Sequence, residues 1–231
     1  LAAVDAAGNF VDPHKIFSLL LRHLVERRGL RGGVAKTFSV SKMIDRLAEH
    51  YGLPLHETPI GFKYIAELML EQDLVAGGEE SGGIGIRPHL PERDGLLNSL
   101  LLAEVIAAEG KPLADCVADL QREFGPLHYR RVDLQLSPAQ KQRALLRLAP
   151  PVAGQAPRTA GQAGEELRRI GEWTVVGRED LDGAKFYLLN AGWVLARASG
   201  TEPVLRIYAE APSPEIVARV VEAVELIVRS A

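Results

Sequence analysis

The sequence predicts an α/β domain followed by an α+β domain with an antiparallel sheet. In the first half, strand-like and helix-like segments alternate, which is typical of largely parallel strands covered by helices. In the second half, several β-like segments follow one another before a final helix, which favours an antiparallel sheet. The length of 231 residues agrees with this division, since it suits two domains of roughly 100 residues better than one.

Composition excludes several classes of protein. Hydrophobic residues make up 47% and charged residues 25% of the chain, which excludes general disorder. The single Cys116 excludes a disulfide framework, and the net charge of −3 gives no indication of nucleic-acid binding. The apolar segments 16–25 and 96–108 are shorter than the ~20 residues of a membrane span and contain charges. We therefore expect neither a nucleic acid nor a membrane as partner.

The beginning of the chain predicts a short hairpin, because two apolar segments flank the turn sequence DAAGN at 5–9. Asp12 followed by Pro13 is typical of a helix start. Ser39 or Ser41 is expected to cap a second helix. Strands are expected at 33–38, 53–57 and 74–76, and helices from Asp12 to Gly29, up to His50, and at 61–73, 95–109 and 112–124.

The second half begins with a weakly alternating segment, 127–136, that predicts a strand. Ser137 and Pro138 then start a helix that ends before residue 150. Residues 149–164 are rich in Ala, Pro, Gly and Gln, a composition that is typical of a loop or linker. Further strands are expected at 174–176, 185–189, 193–198 and 204–210, and a final helix from Pro214.

The glycine-rich segment AGGEESGGIG, at 76–85, is the first candidate site. It follows a strand, at the sheet edge where α/β proteins place ligands. The Glu79 carboxylate can accept hydrogen bonds from two neighbouring sugar hydroxyls, and Ser81 can donate or accept beside it. A solvent-exposed turn with ordinary surface acids is the alternative interpretation.

The segment RASGTEP, at 197–203, is the second candidate site, and Arg206 follows it. Arg197 offers a planar guanidinium that fits phosphate oxygens in pairs. Ser199 and Thr201 add hydroxyl groups, and Gly200 lets backbone N–H groups converge on an anion. The alternative is a hairpin turn with a structural arginine.

Lys36, at the end of a strand, and Lys63 are weaker candidates, because an isolated lysine is usually a surface residue. The six histidines lack the spacing of a zinc site. The sequence contains neither a P-loop nor a G-x-S-x-G nucleophile elbow.

Three motifs in order resemble the carboxyl-terminal half of an α-D-phosphohexomutase, the phosphoglucomutase and phosphomannomutase family. They are ETPIGFKYI at 57–65, GEESGG at 78–83 and RASGTEP at 197–203. The resemblance covers nearly the whole chain. It implies that the first motif starts a helix of the third domain, the second binds the sugar, and the third binds phosphate.

The resemblance implies four domains around one cleft, of which the first supplies a phosphoserine and the second an Asp-rich loop that holds Mg²⁺. Residues 1–11 then correspond to the end of domain 2. Residues 12–126 correspond to domain 3, a mixed α/β sugar-binding domain, and 127–231 to domain 4, an α+β domain similar to TATA-binding protein. Residues 149–164 become an insertion within domain 4.

The family's TASHNP serine motif and its D-x-D-x-D-R metal loop are both absent from this sequence. Since the chain also lacks an initiating Met, we expect domains 1 and 2 of the same protein to precede it, and this part to be inactive alone. The Mg²⁺ ligands would then lie outside the chain. The resemblance further implies cytoplasmic carbohydrate metabolism.

The resemblance implies an isomerase that transfers a phosphoryl group between C1 and C6 of a hexose phosphate, with glucose 1,6-bisphosphate as intermediate and activator. Glu79 and Ser81 would bind the sugar hydroxyls, and Lys36 would act as base or charge partner. Lys63 and Arg93 would line the substrate site. The distal phosphate would be bound by Arg197, Ser199, Gly200 and Thr201.

Two alternatives remain at this stage. One is a stand-alone sugar-phosphate binding module without catalytic activity. The other is a phosphoglucosamine mutase, a branch that usually has the sequence QSGH where this chain has ESGG at 80–83. That difference favours glucose or mannose phosphate as the substrate, without choosing between them.

Overall fold

The computed structural model describes residues 1–148, 167–200 and 202–230. Residues 149–164, expected to be a loop or an insertion, lie outside the described residues. The chain divides into two compact units, Leu1–Pro126 and Leu127–Ala231. Within the described residues, no helix combines the length and the apolar character that crossing a membrane requires.

The first unit opens with the predicted hairpin. Strands β1, Ala3–Val4, and β2, Phe10–Val11, pair antiparallel. Helix α1, Pro13–Glu26, follows directly, and the Asp12 carboxylate accepts a hydrogen bond of 3.0 Å from the Lys15 backbone N–H. The helix start predicted from Asp12 and Pro13 is therefore confirmed, with Asp12 as the N-cap.

A four-stranded sheet forms the centre of the first unit. Its order is β4-β3-β5-β6, and β3, β4 and β5 are parallel while β6 is antiparallel to β5. The three parallel strands confirm the predicted α/β layer. β6 was not expected, because the three-residue sequence IGI carries too weak a pattern. The strands are β3, Gly33–Thr37; β4, Leu55–Thr58; β5, Leu74–Gly78; and β6, Ile84–Ile86.

Helices cover both faces of this sheet. Successive residues of a strand point to opposite faces. A Cβ atom on Gly77 would meet Ile65 of helix α3, Phe62–Glu71, and one on Gly78 would meet Phe17 of α1. The two helices therefore lie on opposite faces, and the unit has an α/β/α arrangement. The remaining helices are α2, Met43–Tyr51; α4, Gly95–Glu109; and α5, Leu113–Phe124.

The second unit is a six-stranded antiparallel sheet with helices. The strand order is β7-β12-β11-β10-β9-β8. The antiparallel sheet predicted from the β-rich second half is confirmed. The elements are β7, His128–Gln135; α6, Pro138–Leu148; β8, Arg169–Ile170; β9, Trp173–Glu179; β10, Ala184–Leu188; β11, Gly192–Ala198; β12, Val204–Ala211; and α7, Pro214–Arg229.

The core of the second unit lies between the sheet and the helices α6 and α7. Val194 and Ala196 of β11 belong to that core. Because side chains alternate along a strand, Leu195 and Arg197 point to the opposite face. Arg197 therefore lies on the face that is turned away from the helices.

Candidate functional site

The first candidate site is the turn that joins β5 to β6, residues 79–83, here called the acidic turn. The Glu79 N–H donates to the Gly83 carbonyl at 2.9 Å, and the Gly82 N–H donates to the Glu79 carbonyl at 3.1 Å. Gly82 has φ +91°, a value that other residues rarely adopt. These two backbone bonds and one glycine give the turn a defined shape.

Glu79 is the central carboxylate of the acidic turn and is only 7% exposed. Burial raises its pKa above the usual range, and the neighbouring Glu80 raises it further. Arg93 acts in the opposite direction, with Nη1 at 3.5 Å from Glu79 Oε2. The ionised carboxylate therefore depends on Arg93 for charge compensation.

Arg93 lies in the loop before α4, and its side chain is 54% exposed. Its guanidinium carbon lies 5.3 Å from the centre of the Phe62 ring, and its Nε contacts the Glu92 carboxylate at 3.2 Å. The structure thus brings together Glu79 and Arg93, two residues that the sequence suggested separately. Because the guanidinium carries five N–H donors, part of its capacity remains available to a ligand.

Ser39 was not expected to belong to this site. Its hydroxyl donates to the Glu80 carboxylate at 2.7 Å, which ties the loop after β3 to the acidic turn. The expectation that Ser39 or Ser41 caps the second helix is wrong, because the N-cap of α2 is Lys42, which makes no side-chain capping bond. Ser41 lies one residue earlier, and its Oγ accepts from the Met43 N–H at 3.0 Å. Ser81, the other predicted sugar ligand, is exposed on the turn.

Lys36 is fully buried at the carboxyl end of β3, directly beside Gly78 of β5. Its ammonium group forms ion pairs with Asp45 and, at 3.4 Å, with Glu57. Burial alone would raise the pKa of Asp45, but Lys36 and Lys42 outweigh it and the pKa is lowered. These contacts favour the charge-partner role of Lys36 over the role of a base.

Lys63 occupies a different environment. It is exposed at the start of α3, and its Nζ lies 4.6 Å from the centre of the Tyr64 ring. In the part of the chain that the structure describes, no hydrogen bond or ion pair connects Lys63 to the acidic turn.

The glycine-rich segment has a different role from the one expected at two of its positions. Gly77 and Gly78 belong to the buried strand β5, where any side chain would collide with Ile65 or Phe17. These two glycines serve the packing of helices on the sheet. Glycines in such a segment can let the backbone approach a ligand or adopt a positive φ, but packing accounts for these two.

The second candidate site is the loop after β11, residues 199–203, with Arg197 at the end of the strand. The Arg197 Nε donates to Asp182 Oδ1 at 2.9 Å. Ser199 is buried, and its Oγ accepts from the Glu202 N–H at 3.2 Å. Gly200 is exposed, and a Cβ atom at this position would meet no other atom within 4 Å. Thr201 lies outside the described residues.

Two arginines lie side by side at this second site. Arg197 of β11 is paired in register with Arg206 of β12, so both project from the same face. Like charges at directly opposed positions destabilise a sheet. Carboxylates offset this cost, since Arg206 contacts Glu202 at 2.6 Å and Asp133 at 3.6 Å. Guanidinium groups are donors that phosphate recognition commonly uses.

Lys141 of α6 is a further cation here that sequence analysis missed. Its Nζ donates to the carbonyl oxygens of Ser199, at 2.8 Å, and Glu202, at 3.1 Å. The contact joins residues 58 and 61 positions apart, so no local pattern could have revealed it. Lys141 fixes the loop and adds positive charge beside it.

No group of three or more His, Cys, Asp or Glu side chains suited to a metal ion occurs in residues 1–148, 167–200 and 202–230.

Comparison with known protein families assigns both halves of the chain. Residues 12–124 match "Phosphoglucomutase/phosphomannomutase, alpha/beta/alpha domain III", and residues 155–227 match the C-terminal domain of the same family. The chain belongs to the phosphoglucomutase/phosphomannomutase family. The resemblance found in the sequence is confirmed, as is the predicted order of an α/β domain and an antiparallel α+β domain.

Individual members of this family resemble the chain over most of its length. A phosphoglucomutase/phosphomannomutase of Thermococcus kodakarensis is 27% identical over 92% of the chain and 41% of the relative. A phosphoglucosamine mutase of Rubrobacter xylanophilus is 30% identical over 96% of the chain and 43% of the relative. The chain thus spans about two fifths of the length of these curated relatives.

Solved structures agree with this assignment. A Thermus thermophilus protein provisionally named a phosphomannomutase is 37% identical, with a TM-score of 0.74 over 99% of this chain and 43% of its own. Two structures of Aspergillus fumigatus N-acetylphosphoglucosamine mutase share the fold, with TM-scores of 0.60 and 0.54 at 17% and 15% identity. The first contains glucose 1,6-bisphosphate, and the second contains GlcNAc-6P and magnesium.

Proposed function

We propose that this chain supplies the sugar-binding and phosphate-binding parts of a phosphohexomutase. The complete enzyme would transfer a phosphoryl group between C1 and C6 of a hexose phosphate. The observation that carries the proposal is the buried Glu79 carboxylate, held in a defined turn beside the half-exposed Arg93. The carboxylate only accepts hydrogen bonds and the guanidinium only donates them. Together they suit neighbouring sugar hydroxyls, which both donate and accept.

In this proposal the acidic turn orients the sugar. Glu79 accepts hydrogen bonds from two hydroxyls, and Ser81 adds a contact from the exposed side of the turn. Lys36 holds positive charge at the carboxyl end of β3 as a partner for developing negative charge. Lys63 has a minor role at most, since its contact is with Tyr64.

The second site would bind the phosphate that is not reacting. Arg197 provides charge-assisted hydrogen bonds, and Arg206 adjoins it in register. Ser199, Gly200 and Thr201 supply the loop hydroxyls and N–H groups of the proposed phosphate site. Because both guanidinium groups contact carboxylates, phosphate has to replace or share these partners. The role of the chain is then positioning and charge stabilisation, which dominate phosphoryl transfer.

Magnesium and glucose 1,6-bisphosphate enter through the family. Fold neighbours were solved with each of them, which supports both as part of the complete enzyme. The metal ligands are proposed to lie in domain 2, as the family resemblance implies. The same proposal includes domains 1 and 2 of the same protein and a cytoplasmic location. It also assigns residues 1–11 to domain 2, residues 12–126 to domain 3 and residues 127–231 to domain 4.

Phosphoglucosamine mutase remains the second candidate, because relatives of that name match nearly the whole chain. The sequence ESGG at 80–83 favours glucose or mannose phosphate instead. The full-length protein is here the proposed longer protein that also contains domains 1 and 2. A coupled assay of it with glucose 1-phosphate, mannose 1-phosphate and glucosamine 1-phosphate distinguishes the three possible substrates. We expect turnover of glucose or mannose phosphate, with at least tenfold lower kcat/KM after Glu79→Gln. No turnover of any substrate would contradict the proposed function.

A further inference from the structure

Gly83, the last residue of the acidic turn, lies against the side chain of Arg93. A methyl group at position 83 would lie 2.5 Å from Arg93 Cδ, 3.1 Å from its Cγ and 3.0 Å from Glu79 Oε2. These separations are shorter than van der Waals contact between heavy atoms, about 3.5–4.0 Å. A side chain at position 83 and the observed position of Arg93 therefore exclude each other.

The requirement for glycine at position 83 is steric and not conformational. Gly83 is not among the glycines with positive φ, whereas its neighbour Gly82 has φ +91°. The atoms nearest to the added methyl group belong to a long, 54% exposed arginine side chain, whereas the Glu79 carboxylate oxygen, at 3.0 Å, would have to move by only a few tenths of an ångström. The arginine side chain can rotate away at little cost to folding. An added methyl group would thus move Arg93 and leave the backbone of the turn in place.

We infer that Gly83 is a positioning residue for sugar recognition. Its missing side chain admits Arg93 to the Glu79 carboxylate, and the two side chains together form the surface that contacts the sugar. Residue 83 thereby controls whether the sugar site presents a guanidinium beside the carboxylate or the carboxylate alone. This assignment rests on the proposed function for its ligand, but the coupling of residues 83, 93 and 79 can be measured without it.

The charged groups facing Glu79 determine what the loss of Arg93 would do. Glu80 on the same turn and Glu92 in the loop before α4 both raise the pKa of Glu79, as burial does, and Arg93 lowers it. When Arg93 moves away, its lowering effect is lost, and the pKa of Glu79 rises because burial, Glu80 and Glu92 still act in that direction. Because a carboxyl must be ionised to act only as acceptor, the acidic limit of sugar binding should move to higher pH.

A double-mutant cycle with Gly83→Ala and Arg93→Ala tests the inference in the 231-residue chain. The readout is the pH titration of the Glu79 carboxyl carbon by NMR. We expect each single variant to raise the pKa of Glu79, and the double variant to raise it no further than Arg93→Ala alone. Additive shifts, or an unchanged Glu79 titration in Gly83→Ala, would overturn the inference.

Gly95→Ala is the matched control, because Gly95 lies in open space at the start of α4. We expect the melting temperatures of Gly83→Ala and Gly95→Ala to stay close to that of the parent chain. A large loss of stability in Gly83→Ala alone would show that the residue serves folding, and would contradict a positioning role.

Kinetics of the full-length protein then separate this inference from the proposed function. If the protein is a mutase, Gly83→Ala and Arg93→Ala should each lower kcat/KM about tenfold, and the double variant no further. An active enzyme with additive losses would contradict the inference and leave the function intact. An inactive protein with a non-additive NMR cycle would contradict the function and leave the coupling intact.

Discussion

The two candidate sites differ in how completely their charged side chains are compensated by opposite charges. The acidic turn buries one carboxylate, Glu79, and compensates it with a single half-exposed arginine. The second site, the loop 199–203 with the flanking strand residues Arg197 and Arg206, is here called the proposed phosphate loop. It places these two cations side by side and compensates both with carboxylates. The first site is short of positive charge around its key group, and the second already has its positive charge paired.

This difference bears on how each site would bind. In the acidic turn, the arrangement is preformed, and in the proposed function a sugar would add hydrogen bonds without displacing a partner. In the proposed phosphate loop, a phosphate would have to compete with Asp182 for Arg197. Binding there would replace one anion by another. The cost of separating the existing ion pairs would offset part of the free energy gained from phosphate contacts.

Replacing Arg197 should have the largest effect. Arg197→Ala in the full-length protein removes hydrogen bonds to phosphate worth roughly 1.5–3 kcal/mol, so KM for the sugar phosphate should rise about tenfold or more. Arg219→Ala, an exposed ion-paired arginine of α7, is the control and should leave KM unchanged. An unchanged KM for Arg197→Ala would remove this residue from the phosphate site.

The glycines of the two segments should differ in what they contribute to folding. Gly77→Ala forces a methyl group onto Ile65 in a packed interface and should cost about 1–3 kcal/mol of unfolding free energy. Gly200→Ala has open space and should change it by less than about 0.5 kcal/mol. Denaturant unfolding of both variants checks this, and equal effects would show that the two segments are packed alike.

Glu79 should weaken the fold at neutral pH. Its pKa is raised in the folded state, so the folded chain binds its proton more tightly than the unfolded chain does. Stability therefore falls as pH rises through the raised pKa. Glu79→Gln should match the parent's melting temperature at acidic pH, below the ordinary glutamate range, and exceed it at pH 7. A Glu79→Gln variant that is less stable at pH 7 would contradict the buried, incompletely compensated carboxylate.

Asp182→Asn should have the smallest effect, and in the favourable direction. The amide oxygen can still accept from Arg197 and hold it in place, while the competing negative charge is removed. KM for the sugar phosphate should fall by about twofold to fivefold, which is less than about 1 kcal/mol. A rise in KM would mean that Asp182 orients Arg197 more than it competes with the ligand.

Much of the fold could be predicted because its signals are local. The Asp12–Pro13 helix start and the alternation of strands and helices need only neighbouring residues. The candidate site was found as separate motifs, but its contacts were not. Ser39 meets Glu80 across 41 positions, and Lys141 meets Ser199 across 58, through the packing of distant elements. No periodicity or spacing encodes such contacts.

The role of each glycine could not be predicted from the sequence, because the same residue type meets different structural requirements. Gly82 is needed for its backbone angle, Gly77 for packing of a helix, and Gly83 for the space that Arg93 occupies. A glycine-rich segment therefore predicts a special site without telling which physical constraint applies at each position.

The most direct test of the account is an NMR titration of the 231-residue chain with glucose 1,6-bisphosphate, following the backbone amides. We expect the amides of the acidic turn, 79–83, and of the proposed phosphate loop around Ser199 and Gly200 to shift together with ligand concentration. Arg197→Ala should abolish the response of the proposed phosphate loop. Shifts confined to other regions, or no saturable shifts in either loop, would contradict the claim that these two segments bind sugar and phosphate.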